Sequence, residues 1–148
     1  MIELSKSTSV NDVTYVLFDT FEDEDIQGKL VPISVDSTTP FYVSRLFYVY
    51  DVPNGDVRGK HAHIECGQIY FALHGVIRVK VHDGKRKRLF TLDNPNQALY
   101  VPAGVWSEEK YKNNAVLMVL CSDEYNSNDY IRDWNEFITW KRSSSQVG

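Results

Sequence analysis

Short runs rich in β-branched and aromatic residues, separated by glycine, proline and asparagine, account for most of the chain. Such runs are typical of β-strands bounded by turns. The predicted strands cover residues 13–18, 30–35, 41–52, 68–73, 76–81, 88–92, 98–102 and 116–121. Turns are predicted at residues 53–56, at His74-Gly75 and at Asp83-Gly84, the last two as tight hairpins. Strands at this nearly regular spacing predict an all-β fold, an antiparallel sandwich or barrel.

The C-terminal region follows the spacing of a helix instead. Between residues 129 and 140, apolar side chains recur as they do on one face of a helix. They are Tyr130, Ile131, Trp134, Phe137 and Ile138. Asn126 or Ser127 is expected to cap this helix, and Asp129 to lie in its first turn. The helix is predicted to pack on the β domain or on a second subunit.

Composition indicates one globular domain. The 148 residues are 43% apolar, enough for one core. The domain is predicted over residues 1–141, and the polar end, 142–148, is predicted to be disordered.

A net charge of -4 argues against a nucleic acid as the main partner. The two cysteines indicate reduced thiols rather than a disulfide framework. No apolar run approaches the about 18 residues of a membrane span, and no signal-peptide pattern is found, so a cytoplasmic protein without a membrane partner is expected.

The stretch from Arg58 to His63, R-G-K-H-A-H, is the strongest candidate for chemistry. Side chains at positions i and i+2 of a strand point to the same face. His61 and His63 are therefore expected to project side by side, with Arg58 close behind. Two imidazoles placed together are suited to bind a metal or to transfer protons near neutral pH.

The spacing around this pair follows the first cupin motif, G-x5-H-x-H-x(3,4)-E-x6-G. Gly55, His61, His63 and Gly75 match it, and Gln68 stands in the position of the glutamate. The second motif, G-x5-P-x-G-x2-H-x3-N, is matched only at its centre, by the P-A-G of residues 102–104. The chain therefore resembles the cupins, and the resemblance implies a jelly-roll-like antiparallel β-barrel with the short C-terminal α-helix beside it.

The substitutions within the two motifs bear on the chemistry. Asn96, Ser107 and Tyr111 stand where the second motif has its first glycine, its histidine and its asparagine. A metal-binding cupin uses two histidines and the glutamate of the first motif with the histidine of the second. Two neutral imidazoles and the Gln68 amide would bind a divalent ion poorly, because no anionic ligand offsets its charge. We therefore expect no catalytic metal and no cofactor, and the imidazoles are predicted to act in proton transfer.

Three separated segments show a narrower resemblance. R-G-K-H-A-H at 58–63, L-Y-V-P-A-G-V-W at 99–106 and D-Y-I-R-D at 129–133 are similar to segments of the dTDP-sugar 3,4-ketoisomerases, the WxcM-like cupins. The resemblance implies a homodimer that acts on a dTDP-linked keto sugar. The implied reaction converts dTDP-4-keto-6-deoxyglucose to its 3-keto isomer, which is later transaminated in deoxyamino-sugar biosynthesis.

The same resemblance implies roles for individual residues. His61 and His63 would be the acid and base, with their division of labour open. Arg58 is a candidate for binding the diphosphate or an enolate oxygen. Tyr48 or Tyr50 would hold a sugar hydroxyl or carry a proton, since the family uses a tyrosine before its R-G motif. Gln68 is expected to hydrogen-bond a histidine or the sugar.

Other functions fit the same pattern. The nearest alternative is a nucleotide-sugar epimerase, which returns the proton to the same carbon from the opposite face. A sugar-binding cupin without catalytic activity is a second alternative. A metal-dependent dioxygenase or isomerase is disfavoured by Gln68 and Ser107.

Overall fold

The structure is a computed structural model that describes residues 2–35 and 37–143. It contains a mainly antiparallel β fold and two helices. The strands are β1 (Thr14–Leu17), β2 (Phe21–Asp23), β3 (Ile26–Leu30), β4 (Arg45–Val49), β5 (Val57–His63), β6 (Gln68–His82), β7 (Lys87–Leu92), β8 (Gln97–Val101), β9 (Trp106–Cys121) and β10 (Tyr130–Ile131). The helices are α1 (Ile2–Ser7) and α2 (Trp134–Ser143), and short 3-10 helices lie at Val10–Asp12 and Ser127–Asp129. The all-β class with a short C-terminal helix is therefore confirmed.

Two long strands, β6 and β9, form the centre of the main sheet. Its order is β1-β8-β6-β9-β5-β10, with β4 also paired to β9 and β7 to β6, while β2 and β3 form a separate hairpin. All the pairs are antiparallel. Over the described residues the hydrogen-bonded path ends at β1 and β10, so strand pairing alone does not close this sheet into a barrel.

The predicted hairpin at His74-Gly75 is wrong, because β6 runs through it as one strand. Residues His74 and Val76 pair with Val116 and Lys112, so β9 carries a bulge at this point. A Cβ on Gly75 would lie 2.6 Å from the carbonyl oxygen of Asn113. The glycine therefore marks close strand contact and a bend rather than a reversal of the chain. The other predicted hairpin, at Asp83-Gly84, is confirmed between β6 and β7.

The C-terminal helix is confirmed, but it begins later than predicted. Tyr130 and Ile131 form β10, which pairs with His63 and Ala62 of β5. The predicted cap Asn126 instead caps the 3-10 helix. At the start of α2 the Asp133 carboxylate accepts a hydrogen bond from the Glu136 backbone N–H.

Other element boundaries also differ from the prediction. The 30–35 run forms no strand beyond Leu30, and the long 41–52 run is a strand only over Arg45–Val49. Residues 106–115, too polar to have been predicted as a strand, belong to β9. The tail predicted to be disordered begins inside α2, at residues 142 and 143, and its remainder, 144–148, lies outside the described residues.

The two faces of the sheet pack against different apolar clusters. The main core lies on one face and includes Tyr70, Ile77, Val79, Leu117 and Val119. A smaller cluster on the other face joins Phe18, Ile69, Phe71, Ala98 and Leu120. Helix α2 buries Phe137 against Ala62, Trp106 and Ile131. This packing directs Ala62 toward the helix. Its neighbours on β5, His61 and His63, therefore point to the opposite face of the strand. No helix among the described residues is long and apolar enough to cross a membrane.

Candidate active site

A bulge in β5 sets the direction of the first histidine. Gly59 and Lys60 have φ angles of 88° and 58°, and the register with β9 shifts between Gly59 and His61. A Cβ on Gly59 would collide with the carboxyl group of Glu109. Only glycine fits here without strain, because the backbone is left-handed and the space is filled.

The predicted histidine pair is brought together by the strand. The ring centroids of His61 and His63 are 5.0 Å apart, with the planes nearly perpendicular. Tyr130, the cross-strand neighbour of His63, packs against both rings, at 4.4 Å from His63 and 5.1 Å from His61. The guanidinium of Arg45 lies close to the Tyr130 side chain. The site is therefore a cluster of two imidazoles under a phenol ring.

His63 is held by a carboxylate. Its Nδ1 lies 2.8 Å from Oδ2 of Asp129. The same carboxylate accepts the backbone N–H of Glu65 on Oδ1 and that of Cys66 on Oδ2. Burial alone would raise the pKa of Asp129, but these hydrogen bonds lower it overall. Because a carboxylate can only accept, the proton of the neutral ring must be on Nδ1. The other nitrogen, Nε2, is then an unprotonated acceptor, and among the described residues it has no hydrogen-bond partner.

His61 lies in a different environment. Burial, with a contribution from the adjacent His63, lowers the pKa of His61 to about 4. The ring is therefore neutral at pH 7, and it can donate a hydrogen bond but is a weak base. Its Nδ1 also has no partner among the described residues.

A small cavity of about 90 Å³ lies beside His61, against the main core. It is lined by Phe47, Val49, Arg58, Gly59, His61, Gln68, Tyr70, Glu109, Tyr111, Leu117 and Val119. Sites that bind whole small molecules are typically roughly 300–1,000 Å³. The cavity as it stands can hold the reacting part of a ligand, and the rest must lie outside it.

A buried chain of polar groups forms one wall of this cavity. The Tyr70 hydroxyl donates to Oε1 of Gln68 at 3.0 Å and lies 2.8 Å from the Ser107 hydroxyl. Ser107 in turn donates to Oε1 of Glu109 at 3.3 Å. Burial raises the pKa of Glu109 to about 7 although these hydroxyls lower it.

These contacts also bear on the metal position of the cupin motifs. Gln68 and Ser107 are hydrogen-bonded to Tyr70, and Nδ1 of His63 is hydrogen-bonded to Asp129. The set offers no anionic ligand in the position of the motif glutamate. These residues therefore do not fit the metal of a metal-binding cupin.

The remaining candidates from the sequence lie in different places. Arg58 is exposed, but it lines the same cavity and pairs with Glu109 across the strands. Tyr48 and Tyr50 are 63% and 61% exposed, whereas Phe47 and Val49 line the cavity. The structure therefore brings Arg58 and Gln68 to the cavity of His61 and places the two tyrosines away from it. Their assignment to substrate binding remains a prediction without support from this geometry.

Sequence reasoning missed Asp129, Tyr130, Arg45 and Glu109 as members of the site. Asp129 and Tyr130 belong to the recognised D-Y-I-R-D segment, but they had been placed in a helix. The motif therefore pointed to these two residues, but the sequence pattern placed them in the helix rather than in the 3-10 helix and strand β10, where they lie. Arg45 is a single charged residue in an apolar strand, and Glu109 stands between Glu108 and Lys110 in a polar run. Neither pattern distinguishes a buried charge from an exposed one.

A small antiparallel cupin-like fold with two imidazoles, one of them on a carboxylate, defines a protein with an acid–base site. The family model described as FdtA: WxcM-like, C-terminal matches residues 11–142, and the chain belongs to this family. The TDP-4-oxo-6-deoxy-alpha-D-glucose-3,4-oxoisomerase of Aneurinibacillus thermoaerophilus is 39% identical over 114 residues, which is 76% of this chain and 82% of the relative.

Solved structures agree with this family. A 3,4-ketoisomerase from Helicobacter canadensis is 32% identical, with a TM-score of 0.84, over 88% of this chain and 98% of its own. A mutant of the 3,4-ketoisomerase QdtA from Thermoanaerobacterium thermosaccharolyticum, in which a histidine is replaced by asparagine, was solved with TDP-4-keto-6-deoxyglucose. It is 27% identical, with a TM-score of 0.84, over 89% of this chain and 95% of its own. The expected cupin-like ketoisomerase fold is therefore confirmed.

Proposed function

We propose that this protein is a nucleotide-sugar 3,4-ketoisomerase that converts TDP-4-keto-6-deoxyglucose to the 3-keto isomer. The observation that carries the proposal is the dyad of His63 and Asp129, in which Nε2 of His63 has no hydrogen-bond partner among the described residues. The membership of the family and the activities of its relatives support the choice of reaction and substrate.

The reaction is an internal redox exchange that needs only proton transfers. Nε2 of His63 takes the proton from C3, and the C3–H electron pair forms the C3=C4 bond of an enediolate as the C4 carbonyl becomes an alkoxide. A proton is then delivered to C4, the O3 hydroxyl loses its proton as the C3 carbonyl forms, and the C4 alkoxide takes up a proton to become the hydroxyl of the product. Each positioned acid or base contributes about 10²–10⁴-fold.

Asp129 prepares His63 for the first step. The carboxylate holds the ring in the tautomer with the proton on Nδ1 and stabilises the imidazolium that forms when Nε2 accepts a proton. The cost of forming a buried cation is reduced because the anion is only 2.8 Å away. His63 is therefore proposed as the base and His61 as its partner, a division of labour that the sequence left open.

His61 and Glu109 are proposed to serve the oxygen atoms and the second proton transfer. A neutral His61 donates a hydrogen bond to the developing oxyanion without competing as a base. Glu109, with a pKa of about 7, can give and recover a proton at neutral pH. Arg58, at the exposed side of the cavity, is proposed to bind the diphosphate.

Access to His63 requires a rearrangement. The side chain of His63 is 5% exposed, and the ring of Tyr130 packs over it at 4.4 Å. We propose that substrate binding displaces this ring and that the phenol then lines the sugar site.

We also propose a homodimer, as the resemblance implied. Apolar side chains on β1 and the β2–β3 hairpin are strongly exposed: Leu17 by 75%, Phe21 by 58%, Ile26 by 68% and Leu30 by 62%. A second subunit would cover such a patch. Sedimentation of the protein, with a Phe21→Ser variant as comparison, should give a dimer that the variant weakens. The cytoplasmic location remains a prediction of the sequence.

The test of the reaction is incubation with TDP-4-keto-6-deoxyglucose and analysis of the product by NMR. A 3-keto product is expected, and His63→Asn should lower turnover by about 10³-fold or more. His74→Asn, a change at an exposed histidine on the same sheet, is the matched control and should retain activity. A product that keeps the 4-keto group with C3 or C5 inverted would indicate the epimerase instead, and binding without turnover would indicate a sugar-binding protein.

A further inference from the structure

Three side chains of metal-ligand type converge behind the catalytic face of His63. The ligand atoms of His63, Cys66 and Asp129 all lie within 4.8 Å of one another. Cys66 is 2% exposed and forms no disulfide. Its thiol donates to the carbonyl oxygen of Gly67, and the neighbouring Cys121 and burial raise the pKa of this thiol, so the ion must displace its proton. We propose that this group binds a thiophilic divalent cation such as Zn²⁺, and that the bound ion switches off the His63 base.

The donor set suits such an ion. Zn²⁺ binds imidazole nitrogen, thiolate sulfur and carboxylate oxygen, commonly with three protein ligands and one open position. With bonds of about 2.0–2.3 Å, tetrahedral ligands are on the order of 3.5 Å apart. The present separation of Nδ1 and Oδ2, 2.8 Å, must widen slightly once the proton between them leaves. The Cys66 thiolate and the Asp129 carboxylate together balance the charge of the ion, which the cupin motif positions cannot do.

A path for the cation lies on the surface side of Asp129. A cleft of about 260 Å³ is lined by Glu65, Asp123, Glu124, Tyr125, Asn126 and Asp129. Four of these six side chains are carboxylates and none is basic, so the cleft attracts cations. Asp129 belongs to both the cleft and the dyad, and it therefore connects the surface to the buried ligands.

Binding has a defined consequence for the base. The ion takes the Nδ1 position of His63, so the proton of the neutral ring must move to Nε2, while the Cys66 thiol releases its proton to solvent. Nε2 then has no lone pair to accept the C3 proton. Inhibition by the ion therefore rests on the proposed function, whereas binding of the ion does not.

Two measurements with matched variants test the site. The activity of the full chain is titrated with ZnCl₂, and Co²⁺ is added separately to the substrate-free protein to record thiolate-to-cobalt absorption. The wild-type protein should lose activity at micromolar Zn²⁺, recover with a chelator, and show the absorption. Cys66→Ala should keep its activity, weaken inhibition on the order of 100-fold and lose the absorption. His74→Asn, at an exposed histidine away from the three ligands, should retain both.

The outcomes separate the two proposals. Equal Zn²⁺ inhibition of the wild-type protein and Cys66→Ala, or no thiolate absorption in the wild type, would overturn the metal site. Thiolate absorption that depends on Cys66, in a protein without ketoisomerase activity, would support the metal site and refute the proposed function. Cys66→Ser is measured in parallel, and equal unfolding transitions of the variants show that the comparison is made on folded protein.

Discussion

Replacing Glu109 with glutamine should change how the stability of this protein depends on pH. Glu109 is 4% exposed, and its carboxyl group lies against Gly59 and Ser107. Burial raises its pKa from 4.5 to about 7. The groups that surround it are Arg58 and His61 on β5, Tyr70 on β6, and Glu108 and Tyr111 on β9.

The sign follows from the proton count. Between pH 4.5 and about 7 the folded state keeps the Glu109 proton while the unfolded state has lost it. The free energy of unfolding therefore falls as pH rises through this window. At about 1.4 kcal/mol per pH unit, the loss reaches roughly 3 kcal/mol above pH 7. Glutamine is neutral at every pH, and its amide oxygen can still accept the hydrogen bond from Ser107, so Glu109→Gln should lack this loss.

The assay is urea unfolding, followed by tryptophan fluorescence, at intervals from pH 4.5 to 8. Glu109→Gln should equal the wild-type protein near the lower limit and exceed its stability by up to roughly 3 kcal/mol at the upper limit. Glu108→Gln is the control, because that neighbouring side chain is 23% exposed and lies 3.6 Å from Lys80. A Glu109→Gln curve parallel to that of the wild type would refute the argument, since Glu109 would then titrate as an ordinary carboxyl group.

Three further predictions follow from the site and its supports. Asp129→Asn should lower kcat by about 10²–10⁴-fold, because His63 loses the acceptor that fixes its tautomer. It should also lower the melting temperature, because the carboxylate accepts the backbone N–H groups of Glu65 and Cys66. Steady-state kinetics and a thermal melt measure the two effects, and unchanged kcat would exclude the dyad. Tyr48→Phe and Tyr50→Phe should leave kcat and KM within about twofold of the wild-type values, because both rings are exposed away from the cavity. A large loss of kcat/KM would support the substrate-binding role that was predicted from the sequence. Lys141→Met should reduce the free energy of unfolding by about 1–3 kcal/mol. The reason is that the ammonium donates to the carbonyl oxygens of residues 5, 8 and 104. Equal urea midpoints for the variant and the wild-type protein would contradict this role.

The sequence was sufficient for the parts of the site that are local. His61 and His63 belong to one strand, and the period of a strand places their side chains together without knowledge of the rest of the fold. Gln68 and Arg58 follow from the same motif and line the same cavity as His61. The fold class was predictable for a similar reason, because strand composition and turn residues are local properties.

The parts that depend on distant pairing were not predictable. Asp129 lies 66 residues from His63 along the chain, and β10, which brings it there, is only 2 residues long. A strand that short has no recognisable period. Its residues also fit the helical spacing of the residues that follow, so they were included in the predicted helix. Glu109 was missed because the polar half of β9 resembles an exposed loop. Its burial depends on Gly59, which leaves space for the carboxyl group from another strand.

The most direct test of the central claim is the position of the proton exchange. The protein is incubated with TDP-4-keto-6-deoxyglucose in D₂O, and the product is examined by NMR. The account predicts a 3-keto product with deuterium at C4, formed at a rate that His63→Asn lowers by about 10³-fold or more. Deuterium at C3 or C5 in a sugar that keeps its 4-keto group, or full activity of His63→Asn, would contradict it.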